Sequence, residues 1–285
     1  MARPLSTQTR VLALPPSAPL PKGTLHDPSL SSLPHAADSR RNRSPTSGPD
    51  ATARPCRRSK HRTAGRHRRA PPMIRPEDAS RRMEELCARA PVIPVLVVAD
   101  AAAARPLAAA LVAGGLPVIE VTLRTPAAPA VIAAMTEVPG AIVGAGTVLD
   151  AADVRIAKAA GACFAVSPGS TPTLLDACAA TGLPLMPGAA TASEAMALLG
   201  AGHRIQKFFP AMAAGGRAML RALAGPLPEI GFCPTGGIGA ESAGDWLALP
   251  NVRCVGGSWV APPDLIAAGD WSGIEALARA AAGLR

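Results

Sequence analysis

The feature that most constrains this chain is a repeat. Short apolar runs rich in β-branched residues fall at 92–98, 116–122, 141–147, 163–167, 184–186, 204–209, 231–234 and 253–256. Alanine-rich stretches with helical spacing lie between them, at 101–113, 129–136, 151–160, 173–180, 193–199 and 217–223. The apolar runs recur roughly every 20 to 27 residues. Near-continuous apolar strands alternating with helices describe parallel βαβ units buried on both faces. Eight such units in about 210 residues predict a single (β/α)8 TIM barrel of the α/β class. An open doubly wound sheet is the alternative. It would need a glycine-rich turn after the first strand, and Val97-Val98-Ala99-Asp100 has none. A helix over 75–90 precedes the repeat. Pro76 suits a first helical position, Glu77 and Asp78 favour the positive end of the dipole, and Met83, Leu86, Cys87 and Ala90 form one stripe.

Composition divides the chain near residue 72. Residues 1–72 hold 14 of the 29 Lys+Arg, 12 of the 31 prolines and four of the five histidines. Their acids are Asp27, Asp38 and Asp50, and they contain no Phe, Trp or Tyr. Such a stretch buries too little apolar area to offset its ordering entropy, so 1–72 is expected to be a disordered basic tail. The leading expectation is that Met73 is the true start and the tail an artefact of the gene model. The barrel domain, 73–285, is left with 15 basic and 17 acidic groups, a net of −2. The overall charge of +9 therefore belongs to the tail. The cluster 54–69 could touch nucleic acid, but without interleaved aromatics it is a weak signal, and no nucleic-acid partner is expected for the domain. No apolar run approaches the roughly 18 residues of a membrane span, so no membrane association is expected. The six cysteines (Cys56, Cys87, Cys163, Cys178, Cys233, Cys254) are scattered without paired metal spacing, and four fall in apolar surroundings. Small reduced core residues of a cytoplasmic protein fit that pattern.

The domain has two lysines, Lys158 and Lys207. Lys158 lies in a helical stretch and needs only solvation. Lys207 interrupts the apolar run Ile205-Gln206-Lys207-Phe208-Phe209-Pro210. Alternation puts Ile205, Lys207 and Phe209 on one face and Gln206 and Phe208 on the other. A buried ammonium costs several kcal/mol unless it is paired or loses its proton, and a desolvated neutral amine is a nucleophile. A strand-end lysine reaching solvent is the equally open alternative. Glu120 interrupts the second run between Ile119 and Val121, sharing a face with Val118, Thr122 and Arg124. It is a candidate general acid or base, or the ion-pair partner of Arg124. The third run ends Gly144-Ala145-Gly146-Thr147, where glycines would let a ligand approach the backbone and the hydroxyl could bind a carboxylate. The last two runs end in Thr235-Gly236-Gly237 and Gly256-Gly257-Ser258. Paired glycines after the seventh and eighth strands can form the backbone phosphate cradle of many barrels, or ordinary tight turns. Gly215-Gly216 either adds to that cradle or caps a helix. With His203 as the domain's one histidine, no zinc or magnesium spacing exists, and no serine sits in a nucleophile elbow. Neither a metal nor another cofactor is expected. Lysine amine chemistry on a phosphorylated keto compound is what this set can perform.

Six stretches resemble one family. Glu-Val-Thr-Leu-Arg-Thr at 120–125, Val-Gly-Ala-Gly-Thr-Val at 143–148, Ser-Pro-Gly at 167–169, Lys-Phe-Phe-Pro-Ala at 207–211, Phe-Cys-Pro-Thr-Gly-Gly-Ile at 232–238 and Gly-Gly-Ser-Trp at 256–259 resemble the 2-keto-3-deoxy-6-phosphogluconate (KDPG) aldolases, which also act as 4-hydroxy-2-oxoglutarate (KHG) aldolases. The resemblance runs from about residue 80 to 283. It implies a class I aldehyde-lyase of the Entner-Doudoroff pathway that releases pyruvate and glyceraldehyde 3-phosphate. It implies Lys207 as the Schiff-base lysine and Glu120 as acid and base. Arg124 and Thr147 would hold the pyruvate carboxylate with Pro168 nearby, and Gly236, Gly237, Gly257 and Ser258 the phosphate. It also implies a homotrimer. Many members carry an acid two places after the proline of Lys-Phe-Phe-Pro, where this chain has Met212, which bears on substrate preference. The phosphogalactonate analogue and KHG are alternative preferred substrates. A basic nucleic-acid-associated protein with a relic barrel is the alternative outside enzymes.

Overall fold

The computed structural model describes residues 73–284. The expectations for 1–72 lie outside the described residues. The described residues open with helix α1 (Pro76–Cys87), with proline in its first turn, Glu77 and Asp78 beside it, and Met83, Leu86 and Cys87 buried. Nine parallel strands follow: β1 (Val92–Leu96), β2 (Val118–Thr122), β3 (Ile142–Gly146), β4 (Ala165–Val166), β5 (Leu185–Met186), β6 (Gly188–Ala189), β7 (Ile205–Phe208), β8 (Gly231–Pro234) and β9 (Val255–Gly257). Between them run α2 (Ala104–Ala113), α3 (Ala128–Thr136), α4 (Ala151–Ala159), α5 (Pro172–Thr181), α6 (Ala192–Gly200), α7 (Gly216–Ala224) and α8 (Ala240–Leu247), and α9 (Pro263–Ala268) and α10 (Trp271–Ala282) close the chain.

The strands form a curled parallel sheet in two ladders. One runs β5-β4-β3-β2-β1-β9 and the other β6-β7-β8. The fifth apolar run is longer than the sequence suggested and is split in two. Pro187, which has no N–H to give a ladder, separates β5 from β6. Its carbonyl still accepts from Lys207 N at 2.9 Å. Single parallel bridges, Phe232 to Val252 and Thr235 to Gly256, join the β8 segment to the β9 segment.

Alternation sorts the side chains into two apolar layers. Ile119, Val121 and Phe208 face the helices in the larger cluster, with Leu107, Leu111, Met135 and Trp246. The smaller inner cluster holds Ile93, Val118, Phe164, Val166, Met186, Ile205, Cys233 and Cys254, and α1 contributes Met83, Leu86 and Cys87 to it. Helix α1 is therefore part of the core, and each large side chain it buries is worth about 1.5–3 kcal/mol. Three of the cysteines scattered in sequence come together in space. Cys87, Cys233 and Cys254 meet in this inner cluster, where the neighbouring thiols and complete burial hold the Cys254 thiol well above its usual range. Cys178 lies elsewhere, and burial pushes it up to about 12.

Outward-facing Gln206 is fully buried, and its Nε2 donates to Ala195 O at 3.0 Å and His203 O at 2.9 Å. That pair of bonds ties β7 to α6 behind Lys207. Gly215, at φ +102, is the N-cap of α7, the capping role that the sequence offered for it.

Candidate functional site

The glutamate and lysine that the sequence placed on separate strands meet inside the curled sheet. Glu120 lies on β2 and Lys207 on β7, and both point inward by the same alternation that turns Ile119, Val121, Gln206 and Phe208 outward. Lys207 Nζ donates to Glu120 Oε1 at 3.1 Å. Glu120 is 2 % exposed and Lys207 5 %. This corrects the pairing considered for Glu120, whose cation is Lys207 and not Arg124. It also decides against a solvated strand-end lysine. Phe209, two residues on and on the same face, sets its ring centroid 5.4 Å from Lys207 Nζ.

Space for Glu120 comes from the neighbouring strand. A Cβ on Gly146 would lie 2.2 Å from Glu120 Oε1, and one on Gly144 would lie 2.3 Å from the Phe164 ring. These glycines thus make room for protein side chains, not for the close ligand approach expected of them. The next residue, Thr147, has φ +58, a left-handed conformation that a β-branched residue rarely adopts.

The turn after β2 is strapped on both sides. Thr122 Oγ1 donates to Leu96 O at 2.9 Å, Thr125 Oγ1 to Val98 O at 2.7 Å, and Leu123 N to Gly146 O at 2.8 Å. Those bonds hold exposed Arg124 at the rim. On the far side, Gly236 at φ +104 and Gly237 at φ +76 use backbone conformations open to glycine. Thr235 packs against Gly256, where a Cβ would lie 2.2 Å from Thr235 Oγ1.

One cavity of about 500 Å³ opens at the C-terminal ends of the strands. Glu120, Arg124, Thr147, Pro168, Lys207, Gly236, Gly237, Gly257 and Ser258 all border it. Val97, Thr122, Phe209, Thr235 and Ile238 border it too, and the sequence reading had not assigned them to a site. Phe209 and Thr235 were within reach of that reading, because one shares the face of Lys207 and the other precedes the Gly-Gly pair. A second cavity, of about 530 Å³, lies between α5 and α6 and is lined mainly by apolar residues. His203 borders that one; it is 5 % exposed, and burial holds its imidazole below the usual range. Among the described residues no group of three or more His, Cys, Asp or Glu side chains is placed to hold a metal ion.

The first cavity therefore offers a buried amine touching a carboxylate, bordered by the Arg124 guanidinium, the Thr147 and Ser258 hydroxyls and the glycine turns after β8 and β9. An amine and an adjacent acid–base group can form and break an imine.

Comparison with known proteins points the same way. The family model described as "Aldolase: KDPG and KHG aldolase" matches residues 83–277. The 2-dehydro-3-deoxy-phosphogluconate aldolase of Pseudoalteromonas atlantica is 52 % identical over 199 residues, covering 70 % of this chain and 93 % of the relative. A crystal structure of the 2-keto-3-deoxy-6-phosphogluconate aldolase of Zymomonas mobilis with 3-phosphoglycerate superposes with TM-score 0.69 at 47 % identity, covering 72 % of this chain and 97 % of that one. A KDPG aldolase from Legionella pneumophila, with pyruvate captured as a covalent carbinolamine, gives TM-score 0.68 at 45 % identity, covering 74 % and 99 %.

Proposed function

Since this chain belongs to the KDPG and KHG aldolase family, we propose that it is a class I aldolase that cleaves 2-keto-3-deoxy-6-phosphogluconate into pyruvate and glyceraldehyde 3-phosphate. The observation that carries the reading is the buried Lys207–Glu120 contact at 3.1 Å, in a cavity that Arg124, Thr147 and the glycine turns after β8 and β9 also border.

In this reading Lys207 passes a proton to Glu120 and its free amine adds to the C2 ketone of the substrate. Glu120 returns the proton as the carbinolamine loses water, leaving an iminium. Glu120 then takes the proton of the C4 hydroxyl. The C3–C4 bond breaks, its electron pair moves into the iminium, and C4 leaves as the aldehyde of glyceraldehyde 3-phosphate. The enamine that remains takes a proton at C3, and hydrolysis frees pyruvate and the amine. Arg124 and Thr147 hold the carboxylate beside the ketone, with Pro168 against it. The N–H groups around Gly236, Gly237 and Gly257, with the Ser258 hydroxyl, hold the phosphate. KHG is a second substrate in this reading, supported by the family model's span of both activities.

The finer architecture belongs to the same proposal. Counting β5 and β6 as one strand interrupted at Pro187 gives eight strands, and the bridges from the β8 segment to the β9 segment support their closure into a barrel. We take 73–285 as that barrel and 1–72 as a separate tail. The homotrimer comes from the family resemblance, and light scattering on the purified chain tests it. A cytoplasmic location is supported by the free thiols of Cys87, Cys178, Cys233 and Cys254.

Borohydride trapping tests the central step. Reduction in the presence of pyruvate should leave one pyruvate-derived adduct per chain on the peptide containing Lys207. Lys207→Arg should abolish adduct and cleavage together, because a guanidinium stays protonated. An adduct on Lys158, or cleavage by the Arg variant, would overturn the assignment.

A further inference from the structure

We infer that Gly188 is a positioning residue for the imine step. The side chain it lacks leaves room, on the inner face of the sheet beside Lys207, for the turn that sets Pro168 against the pyruvate part of the substrate. This rests on reading Lys207 as the Schiff-base lysine and Pro168 as a neighbour of the pyruvate carboxylate.

Gly188 is the Cα partner of Lys207 across the ladder, and Ala189 is the partner of Phe208. Partners across a parallel ladder turn their side chains to one face. Ala189 and Phe208 both lie in the outer cluster, so a side chain at 188 would point inward with Lys207. That place is taken by main chain. A Cβ on Gly188 would lie 2.3 Å from both the carbonyl carbon and the oxygen of Pro168, and 2.6 Å from Gly169 N. All three are backbone atoms, so no rotamer change relieves the contact. Gly144, Gly146 and Gly256, by contrast, make room for side chains.

The strand and the turn are not equally free to yield. Lys207 N donates to Pro187 O at 2.9 Å and Phe209 N to Ala189 O at 3.2 Å, so β6 is held to β7 on both sides of Gly188. The turn leaves β4 after Ser167, whose N donates to Met186 O at 3.3 Å. Pro168 has no N–H to hold it further, and a Cβ on Gly169 would meet no atom within 4 Å. A methyl at 188 therefore drives the turn and not the strand. Carbon atoms in ordinary contact stand about 3.5 Å apart, so Pro168 has to move by roughly 1 Å. The movement is inward, into the cavity that Pro168 borders with Lys207. A misplacement of that size beside the reacting atoms costs about ten- to a hundredfold.

The experiment uses the full chain as wild type, Gly188→Ala, Gly169→Ala, Pro168→Gly and the double variant Pro168→Gly/Gly188→Ala. Urea unfolding reports the fold. Borohydride trapping across pyruvate concentration and pH gives the half-saturating pyruvate and the saturated rate. Gly188→Ala should raise half-saturating pyruvate about ten- to a hundredfold. Its saturated rate and pH profile should stay close to wild type, because Lys207 and Glu120 keep their places. Gly169→Ala should match wild type, since neither glycine has a positive φ and contact alone separates them. Without the Pro168 ring, adding Gly188→Ala should cost little more, a non-additivity that reports action through Pro168. A Gly188→Ala chain that folds only in the freer Pro168→Gly background would support the inference in the same way. Unchanged half-saturation in Gly188→Ala, an equal loss in Gly169→Ala, an equal penalty in both backgrounds, a loss confined to the saturated rate, or failure to fold in both backgrounds would overturn it. A wild type that traps no pyruvate would instead overturn the reading of Lys207 on which the inference stands.

Discussion

Replacing Glu120 by Gln should separate two jobs that one carboxylate performs. Glu120 Oε1 faces Lys207 Nζ at 3.1 Å with both residues almost fully buried. Gln keeps the shape but carries no charge and takes no proton at neutral pH. Loss of general acid–base help should lower kcat by about 10²–10⁴. Stability should fall as well, because the ammonium left facing an amide in a buried site costs about 3–5 kcal/mol. Urea unfolding of both proteins measures that loss, and a coupled aldehyde assay measures kcat. A variant that keeps more than a tenth of native kcat would reduce Glu120 to a structural partner. A variant as stable as the native chain would refute the argument that Lys207 depends on Glu120 for its buried charge.

Gly146→Ala should cost at least tenfold in kcat, because the new methyl falls 2.2 Å from Glu120 Oε1; Gly144→Ala presses on the Phe164 ring instead and should lower Tm, by about 1–3 kcal/mol of overpacking, with less effect on kcat. Equal kcat losses in the two variants would sink that distinction. Burial lowers the His203 pKa against the opposing pull of Glu77. The folded chain thus binds this proton more weakly than the unfolded chain, and the contribution is full above about pH 6.5 and lost as pH falls below it. His203→Phe should flatten the stability curve between pH 5 and 7, and an unchanged slope would assign that limb to other groups. A protein starting at Met73 should match the full chain in kcat/KM and Tm; a tenfold loss of kcat/KM would make residues 1–72 part of the working enzyme.

Much of the architecture was legible because its determinants are local. Period-two alternation puts Ile205 and Lys207 on one face and Gln206 and Phe208 on the other, and the structure keeps that grouping and turns the Lys207 face inward. Proline and acids at the start of α1 marked its first turn. The fifth strand was read short because Pro187 breaks the apolar run, although the pairing resumes beyond it at Gly188–Ala189. The residues that share a face could thus be written down, but not which face is inner or which inner residues touch.

The sequence by itself determined a parallel α/β repeat, the side chains that share a face with Glu120 and with Lys207, and the glycine pairs that end the last strands. Tertiary structure alone decided that Glu120 pairs with Lys207, 87 positions away, and not with Arg124 four positions on. It decided that Gly146 is a glycine for the sake of the Glu120 side chain, and that Cys87, Cys233 and Cys254 share one site. The physical reason is common to all three. Alternation is a property of one strand, set by the pleat of its own backbone. Contacts across the interior depend on the register and curl of strands far apart in the chain, and no period within a single strand encodes them.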